Sequence, residues 1–269
     1  MKHIISAADL ERRLNEPDLV ILDATIPKVA GSVSTNEKRR IKGARFFDIK
    51  KTFSDATSAF PNTLPTAEQF KRECRKLGIN TTSFIVVYDD WGIYSSPRAW
   101  WMFRTMGHDK VAVLDGGLPE WENQGYETEP VSEQKYVSGN FKATLNPAAV
   151  KDFDFIRSNI EENKALVIDA RSSDRFHSRV PEPRADLRSG HIKGAINIPY
   201  TEVLEAGKFK SKEQLKEVLR GLEGETKPLV FSCGSGITAC IVALASESVL
   251  GNDKAIYDGS WTEYAQLTN

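Results

Sequence analysis

Four blocks of this chain occur twice. LVILDA (19–24) returns as LVIDAR (166–171), and RIKGARFFDI (40–49) returns as HIKGAINIPY (191–200). FIVVYDD (84–90) is matched by PLVFSC (228–233), and GHDKVAVLDGGLPEW (107–121) by GNDKAIYDGSWTEY (251–264). The order of the blocks is kept. Asp90 falls opposite Cys233 and Asp115 opposite Asp258, both at a spacing of 143 residues (233 − 90, 258 − 115). A repeat of this length marks a duplicated domain, and 269 residues give two copies room to bury a core each.

Within each copy, short apolar runs rich in β-branched residues alternate with helical patterns. LVILD, FIVVYD and VAVLD in the first copy, and LVIDA, AINIP, LVFSC and AIYDG in the second, have the look of strands buried on both faces. TAEQFKRECRKLG (66–78) and SKEQLKEVLRGL (211–222) open on a Thr or Ser with Glu close behind and end near Gly, as helices do. SPRAWWMFRTMG and ITACIVALASESVLG extend the pattern after the third strand of each copy. The expected fold class is α/β: two tandem domains, each a mainly parallel sheet flanked by helices. Residues 1–130 form the first domain and 148–269 the second. The polar, Pro- and Gly-bearing stretch 131–147 reads as the linker.

The formal net charge of −1 offers no basis for nucleic-acid or membrane partners. The N-terminal MKHIISAADLERRL lacks an apolar core of the signal-peptide kind, so the cytoplasm is the default location. Cys74, Cys233 and Cys240 are too few and too scattered for a disulfide framework. No CxxC or HExxH spacing occurs, so no metal site is expected. Any cysteine chemistry here belongs to a single thiol.

Cys233 is placed for it. In CGSGIT (233–238) a buried strand ends in a thiol, two glycines follow at alternate positions, and a helix begins. Gly234 and Gly236 permit backbone angles that curl successive N–H groups toward one point, an anion nest. The helix beyond adds unpaired N–H groups and the positive end of its dipole. Such surroundings favour thiolate over thiol, and Ser235 and Thr238 supply hydroxyls. The first copy is an internal control, because Asp90 and a differently shaped loop, DDWGIYSS, stand in the matching place. Cys240, two turns along the next helix, and Cys74 read as core. Cys233 reads as an exposed, reactive thiol open to oxidation.

Two tandem copies bearing HIKGAINIP, CGSGIT and DGSWTEY resemble the rhodanese-like sulfurtransferases. YSSPRAWWMFR and LDGGLPEW make the chain similar to the branch of that family that acts on 3-mercaptopyruvate. The resemblance runs from about residue 19 to 264. It implies a non-catalytic first domain with Asp90 at the cysteine position, and a second domain whose Cys233 takes sulfur from 3-mercaptopyruvate as a persulfide. Pyruvate leaves, and the sulfur passes to a thiol acceptor such as thioredoxin, or to cyanide. No cofactor is implied. The family's substrate arginines correspond to Arg175 and Arg184, which suit a carboxylate; Arg171, Arg179 and Arg188 read as solvated neighbours. Ser235 is implied as the group assisting the departing enolate. The loop residues Gly234, Gly236, Ile237 and Thr238 complete the substrate-binding set, and Tyr94 and Arg98 are candidates for the cleft between the copies. His191, Asp23 and Asp169 read as turn residues. The family commonly has histidine, with a proposed proton relay around it, where this chain has Arg40; a guanidinium keeps its proton near neutral pH and cannot serve as that base.

Three other readings compete. A thiosulfate sulfurtransferase usually carries basic residues in the cysteine loop, and CGSGIT has none. A cysteine phosphatase needs Cys-x5-Arg, and the sixth residue after Cys233 is Ala239. A sulfur-carrying module without turnover has no use for the paired arginines.

Overall fold

The computed structural model describes residues 3–26 and 38–268. The chain divides into two compact units. Unit 1 comprises Met1–Ser54, Pro65–Leu145 and Ala206–Lys208; unit 2 comprises Asp55–Leu64, Asn146–Glu205 and Phe209–Asn269.

Unit 1 is built on strands β1 (Ile4–Ile5), β2 (Leu19–Asp23), β3 (Arg45–Phe46), β4 (Phe84–Tyr88) and β5 (Val111–Leu114), in the sheet order β1-β5-β4-β2-β3. Unit 2 is built on β6 (Val150–Lys151), β7 (Leu166–Asp169), β8 (Ile196–Asn197), β9 (Leu229–Ser232) and β10 (Lys254–Tyr257). Its order, β6-β10-β9-β7-β8, is that of unit 1 repeated. Every neighbouring pair in both sheets is parallel. The central strands are almost wholly apolar, as burial on both faces requires: Ile85, Val86, Val87 and Tyr88 in unit 1, and Leu229, Val230 and Phe231 in unit 2, are each inaccessible to solvent.

Helices α1 (Ala7–Arg13), α2 (Ala67–Lys76), α3 (Ser96–Thr105) and α4 (Gly117–Asn123) belong to unit 1. Helices α5 (Phe153–Glu162), α6 (Ser173–Phe176), α7 (Lys212–Val218), α8 (Ala239–Ser246) and α9 (Ser260–Leu267) belong to unit 2. The caps read from sequence are made. Thr66 accepts from the Gln69 amide at the start of α2, and Ser211 with Gln214 forms a reciprocal capping box at α7. Helix α8 is apolar all round and all its residues are buried. It begins two residues later than its apolar pattern suggests, because Ile237 and Thr238 remain in the loop. Cys240 therefore lies in the first turn of α8, not two turns along, and it is core. Cys74 is buried on α2, and burial pushes its thiol well up from the usual range.

Residues 131–145 carry no regular structure yet belong to unit 1. The Gly139, Phe141 and Thr144 amides bond the Arg75, Ile79 and Met106 carbonyls, and Phe141 is buried among Phe70 and Phe103. No helix of the described residues is long and apolar enough to cross a membrane.

Candidate active site

Strand β9, flanked by β7 and β10, delivers Cys233 to the carboxyl end of the unit 2 sheet, where functional groups of parallel sheets gather. The loop from Cys233 to Thr238 is tied down by the start of α9. Ser260 Oγ accepts from the amides of Cys233 (3.2 Å) and Gly236 (3.1 Å) and donates to the Tyr257 carbonyl (2.9 Å). The Trp261 amide donates to the Cys233 carbonyl (3.0 Å) and the Thr262 amide to the Gly234 carbonyl (3.1 Å). Thr262 Oγ1 adds a bond to that same oxygen (2.6 Å).

These bonds aim the loop. In a trans peptide the C=O of one residue and the N–H of the next point in opposite directions, and none of the described peptides is cis. With the Cys233 and Gly234 carbonyls turned onto α9, the Gly234 and Ser235 amides point away from it. Among the described residues the N–H groups of Gly234, Ser235, Ile237 and Thr238 find no protein acceptor. Gly236 sits at φ +76°, the left-handed turn a nest needs.

The candidate arginines reach this loop. Arg175, partly exposed on α6, bonds Glu182 through Nη2 (2.5 Å) and Nε (3.3 Å). A methyl group on Gly234 would lie 3.1 Å from Arg175 Nη2. Arg184 Nη2 donates to Thr262 Oγ1 (2.7 Å), the hydroxyl that holds the Gly234 carbonyl. Arg179 and Arg188 are exposed; Arg179 pairs with Asp174 (3.4 Å), and Arg188 lies over the Trp261 ring.

Arg171 is not the solvated neighbour expected from sequence. Its guanidinium is inaccessible to solvent, grips Asp169 (2.6 Å) and Glu182 (2.8 Å), donates to the Gly190 carbonyl (2.8 Å) and lies over the Trp261 ring. Asp169 is thus the buried counter-ion of Arg171. Glu182 joins the two arginines, a buried carboxylate between one locked cation and one facing the loop. His191 stacks on Phe176 and bonds its carbonyl through Nδ1, which fixes the end of α6.

Cys233 itself is buried, 2% exposed, rather than open at the surface. It directly follows the end of the interior strand β9. Ser235 is half-buried. Its backbone oxygen and Oγ each accept a hydrogen bond from Asn62 Nδ2 (3.1 Å). Arg40 is engaged elsewhere, in unit 1, where it pairs with Glu129 (2.8 Å) and donates to Ser132.

Unit 1 closes the equivalent nest on itself. Asp89, one residue before Asp90 and opposite Ser232, accepts from the Tyr94, Ser95 and Ser96 amides (2.9–3.0 Å) and the Ser96 hydroxyl (2.7 Å). The α3 N-terminus is therefore filled by the chain's own carboxylate. Asp90 remains at the edge, its carboxyl pushed up to about 6 by loss of solvation and by the Asp23 and Asp89 carboxylates. Arg98 is buried over Trp101.

Asn62, Glu182, Ser260 and Thr262 are site residues that sequence reasoning missed. One signal was available for Ser260. The repeat register puts it opposite Gly117, a glycine replaced by a hydroxyl residue (DGG against DGS), and the structure gives both a positive φ (+51° and +56°). A side chain at 117 would strike the Asp89 and Gly92 carbonyls, whereas in unit 2 the hydroxyl at this strained position organises the loop.

Two copies of one fold, one with its nest plugged and one with a thiol beside it, define a duplicated α/β protein with a single cysteine centre. The rhodanese-like domain model matches residues 6–124 and 153–267, and the chain belongs to that family. It is 41% identical over 261 residues to the human 3-mercaptopyruvate sulfurtransferase, covering 94% of this chain and 86% of the human one. It is 38% identical to thiosulfate/3-mercaptopyruvate sulfurtransferase 1, mitochondrial, of Arabidopsis thaliana, over 97% of this chain and 76% of the plant one. The crystal structure of SseA from Escherichia coli, described as a 3-mercaptopyruvate sulfotransferase, aligns with a TM-score of 0.85 at 36% identity, covering 97% of this chain and 99% of that one.

Proposed function

We propose that the protein is a sulfurtransferase that moves sulfur from 3-mercaptopyruvate to a thiol through a persulfide on Cys233. The observation that carries this reading is a thiol-bearing loop, four of whose amides find no acceptor among the described residues, with Arg175 beside Gly234 and Arg184 on the Thr262 hydroxyl that holds the Gly234 carbonyl. The names of the human and Arabidopsis relatives point the same way.

The Arg175 and Arg184 guanidinium groups hold the carboxylate of the donor. The Cys233 thiolate, its charge met by the Gly234, Ser235, Ile237 and Thr238 amides and by the dipole of α8, attacks the donor sulfur. A sulfur–sulfur bond forms. The carbon–sulfur bond breaks, and its electron pair passes into the pyruvate enolate, whose oxygen accepts a hydrogen bond from Ser235. The enolate carbon takes a proton from water and pyruvate leaves. An acceptor thiolate, of the thioredoxin kind, then attacks the outer sulfur and returns Cys233 as thiolate; cyanide in its place leaves as thiocyanate. Unit 1 serves as a non-catalytic domain, since Asp89 fills its nest and Asp90 replaces the thiol.

Thiosulfate is the rival donor, and the Arabidopsis relative is named for both. Glu182 already neutralises part of the charge of Arg175, and the loop has no cation of its own, which favours the monoanionic keto acid over a compact dianion. Measurement of kcat/KM for the two donors tests this. The expected result is a preference for 3-mercaptopyruvate of at least about tenfold, the worth of one charge-assisted contact. Equal or reversed preference assigns the protein to thiosulfate.

A further inference from the structure

Asn62 stands 173 positions before Ser235, yet belongs to the same unit. Its Nδ2 spans the Ser235 carbonyl oxygen and the Ser235 hydroxyl, each at 3.1 Å. A carbonyl oxygen only accepts, so the amide must present its NH2 to this residue. The hydroxyl oxygen is therefore an acceptor as well, and its single hydrogen remains for another partner.

The surroundings hold Asn62 in this pose. It is 6% exposed and sits at φ +62°, a conformation that asparagine tolerates better than most residues. On one side the Leu64 amide donates to Asp258 Oδ2 (2.7 Å). On the other, residues 55–63 close into a turn through the Asp55 amide and Thr63 carbonyl (2.9 Å), with Asp55 Oδ1 accepting from Thr57 (2.8 Å). Asp258 precedes α9, whose Ser260 and Thr262 clamp the cysteine loop. One framework thus fixes both the loop and the amide that meets its serine.

We propose that Asn62 is a positioning residue that sets Ser235 as a hydrogen-bond donor toward the oxygen that gains charge when the donor's carbon–sulfur bond breaks. The inference rests on the sulfurtransferase reading above. No proton leaves Ser235: the hydrogen bond strengthens as the enolate forms, and water protonates the carbon. An amide does not titrate near neutral pH, so Ser235 works without a base behind it.

The test is a cycle of four proteins, wild type, Asn62→Gly, Ser235→Ala and the double variant, assayed for pyruvate release from 3-mercaptopyruvate. Glycine keeps the positive φ and removes the amide. The expected result is a fall in kcat on the order of tenfold for Asn62→Gly, with KM within about threefold of wild type. In the Ser235→Ala background the same change costs nothing further. Asn62→Asp, which would accept the hydroxyl hydrogen and repel the carbonyl, falls below Asn62→Gly. A wild-type kcat in Asn62→Gly, or an equal loss in both backgrounds, overturns the role of Asn62. Failure of the wild type itself to release pyruvate overturns the sulfurtransferase reading instead.

Discussion

Glu182 shows how one buried side chain sets the character of a site. Its carboxylate lies between Arg171, which is sealed, and Arg175, which meets the cysteine loop. Breaking a buried ion pair leaves a charge uncompensated. Glu182→Gln is therefore expected to lower stability by about 3 kcal/mol in denaturant melts. With Arg175 less neutralised, the kcat/KM ratio of thiosulfate to 3-mercaptopyruvate should also rise. Asp90 carries a second prediction at this scale. Its carboxyl is pushed up to about 6 in the folded chain, above the ordinary 3.8. The folded state thus binds the extra proton, and stability falls as pH rises from about 4 through 6. Asp90→Asn removes that fall: thermal melts of the variant should match wild type in acid and exceed it above pH 6. A variant curve parallel to wild type across this range would show that Asp90 does not carry the effect.

At the scale of elements, the two strand–loop–helix corners β4–α3 and β9–α8 start from one plan and end with opposite uses. Asp89 fills the first helix start, while in the second corner the Gly234, Ser235, Ile237 and Thr238 amides find no acceptor among the described residues. Removal of the plugging carboxylate, Asp89→Ala, should cost about 2–3 kcal/mol of stability, because buried amides lose a charged acceptor. The same scale separates a crowded loop from a misfolded one. Gly234 does not take a positive φ, so the backbone does not bar alanine, but the added carbon would crowd Arg175 Nη2 at 3.1 Å. Gly234→Ala is expected to raise KM for the keto acid several-fold while leaving the melting transition nearly unchanged. A large loss of stability with unchanged KM would contradict the contact.

Taken whole, the molecule is a duplication whose copies keep one strand order and differ in chemistry. That much was legible because apolar runs and glycine turns recur in register along the chain. Cys233 stood out through a local signal, a strand end followed by glycines, whereas Arg175 and Arg184 were named only through the family resemblance; the structure brings Arg175 to Gly234 and Arg184 to Thr262. Arg171 was misread as a solvated neighbour because its place among other arginines in the sequence says nothing about depth. The side chain folds back two residues onto Asp169 and is sealed there. Asn62, Ser260 and Thr262 escaped because they reach the loop from far along the sequence, and no local pattern records which distant amide or hydroxyl a turn will meet. Arg40 drew attention because the family resemblance puts a histidine at its place; its guanidinium pairs with Glu129.

Incubation of the protein with 3-mercaptopyruvate, followed by mass spectrometry of the intact chain and its peptides, tests the central claim most directly. The account predicts the gain of one sulfur atom on the peptide bearing Cys233, none on those bearing Cys74 or Cys240, and none anywhere in Cys233→Ser. No added sulfur on the wild type, or sulfur that persists in Cys233→Ser, would contradict it.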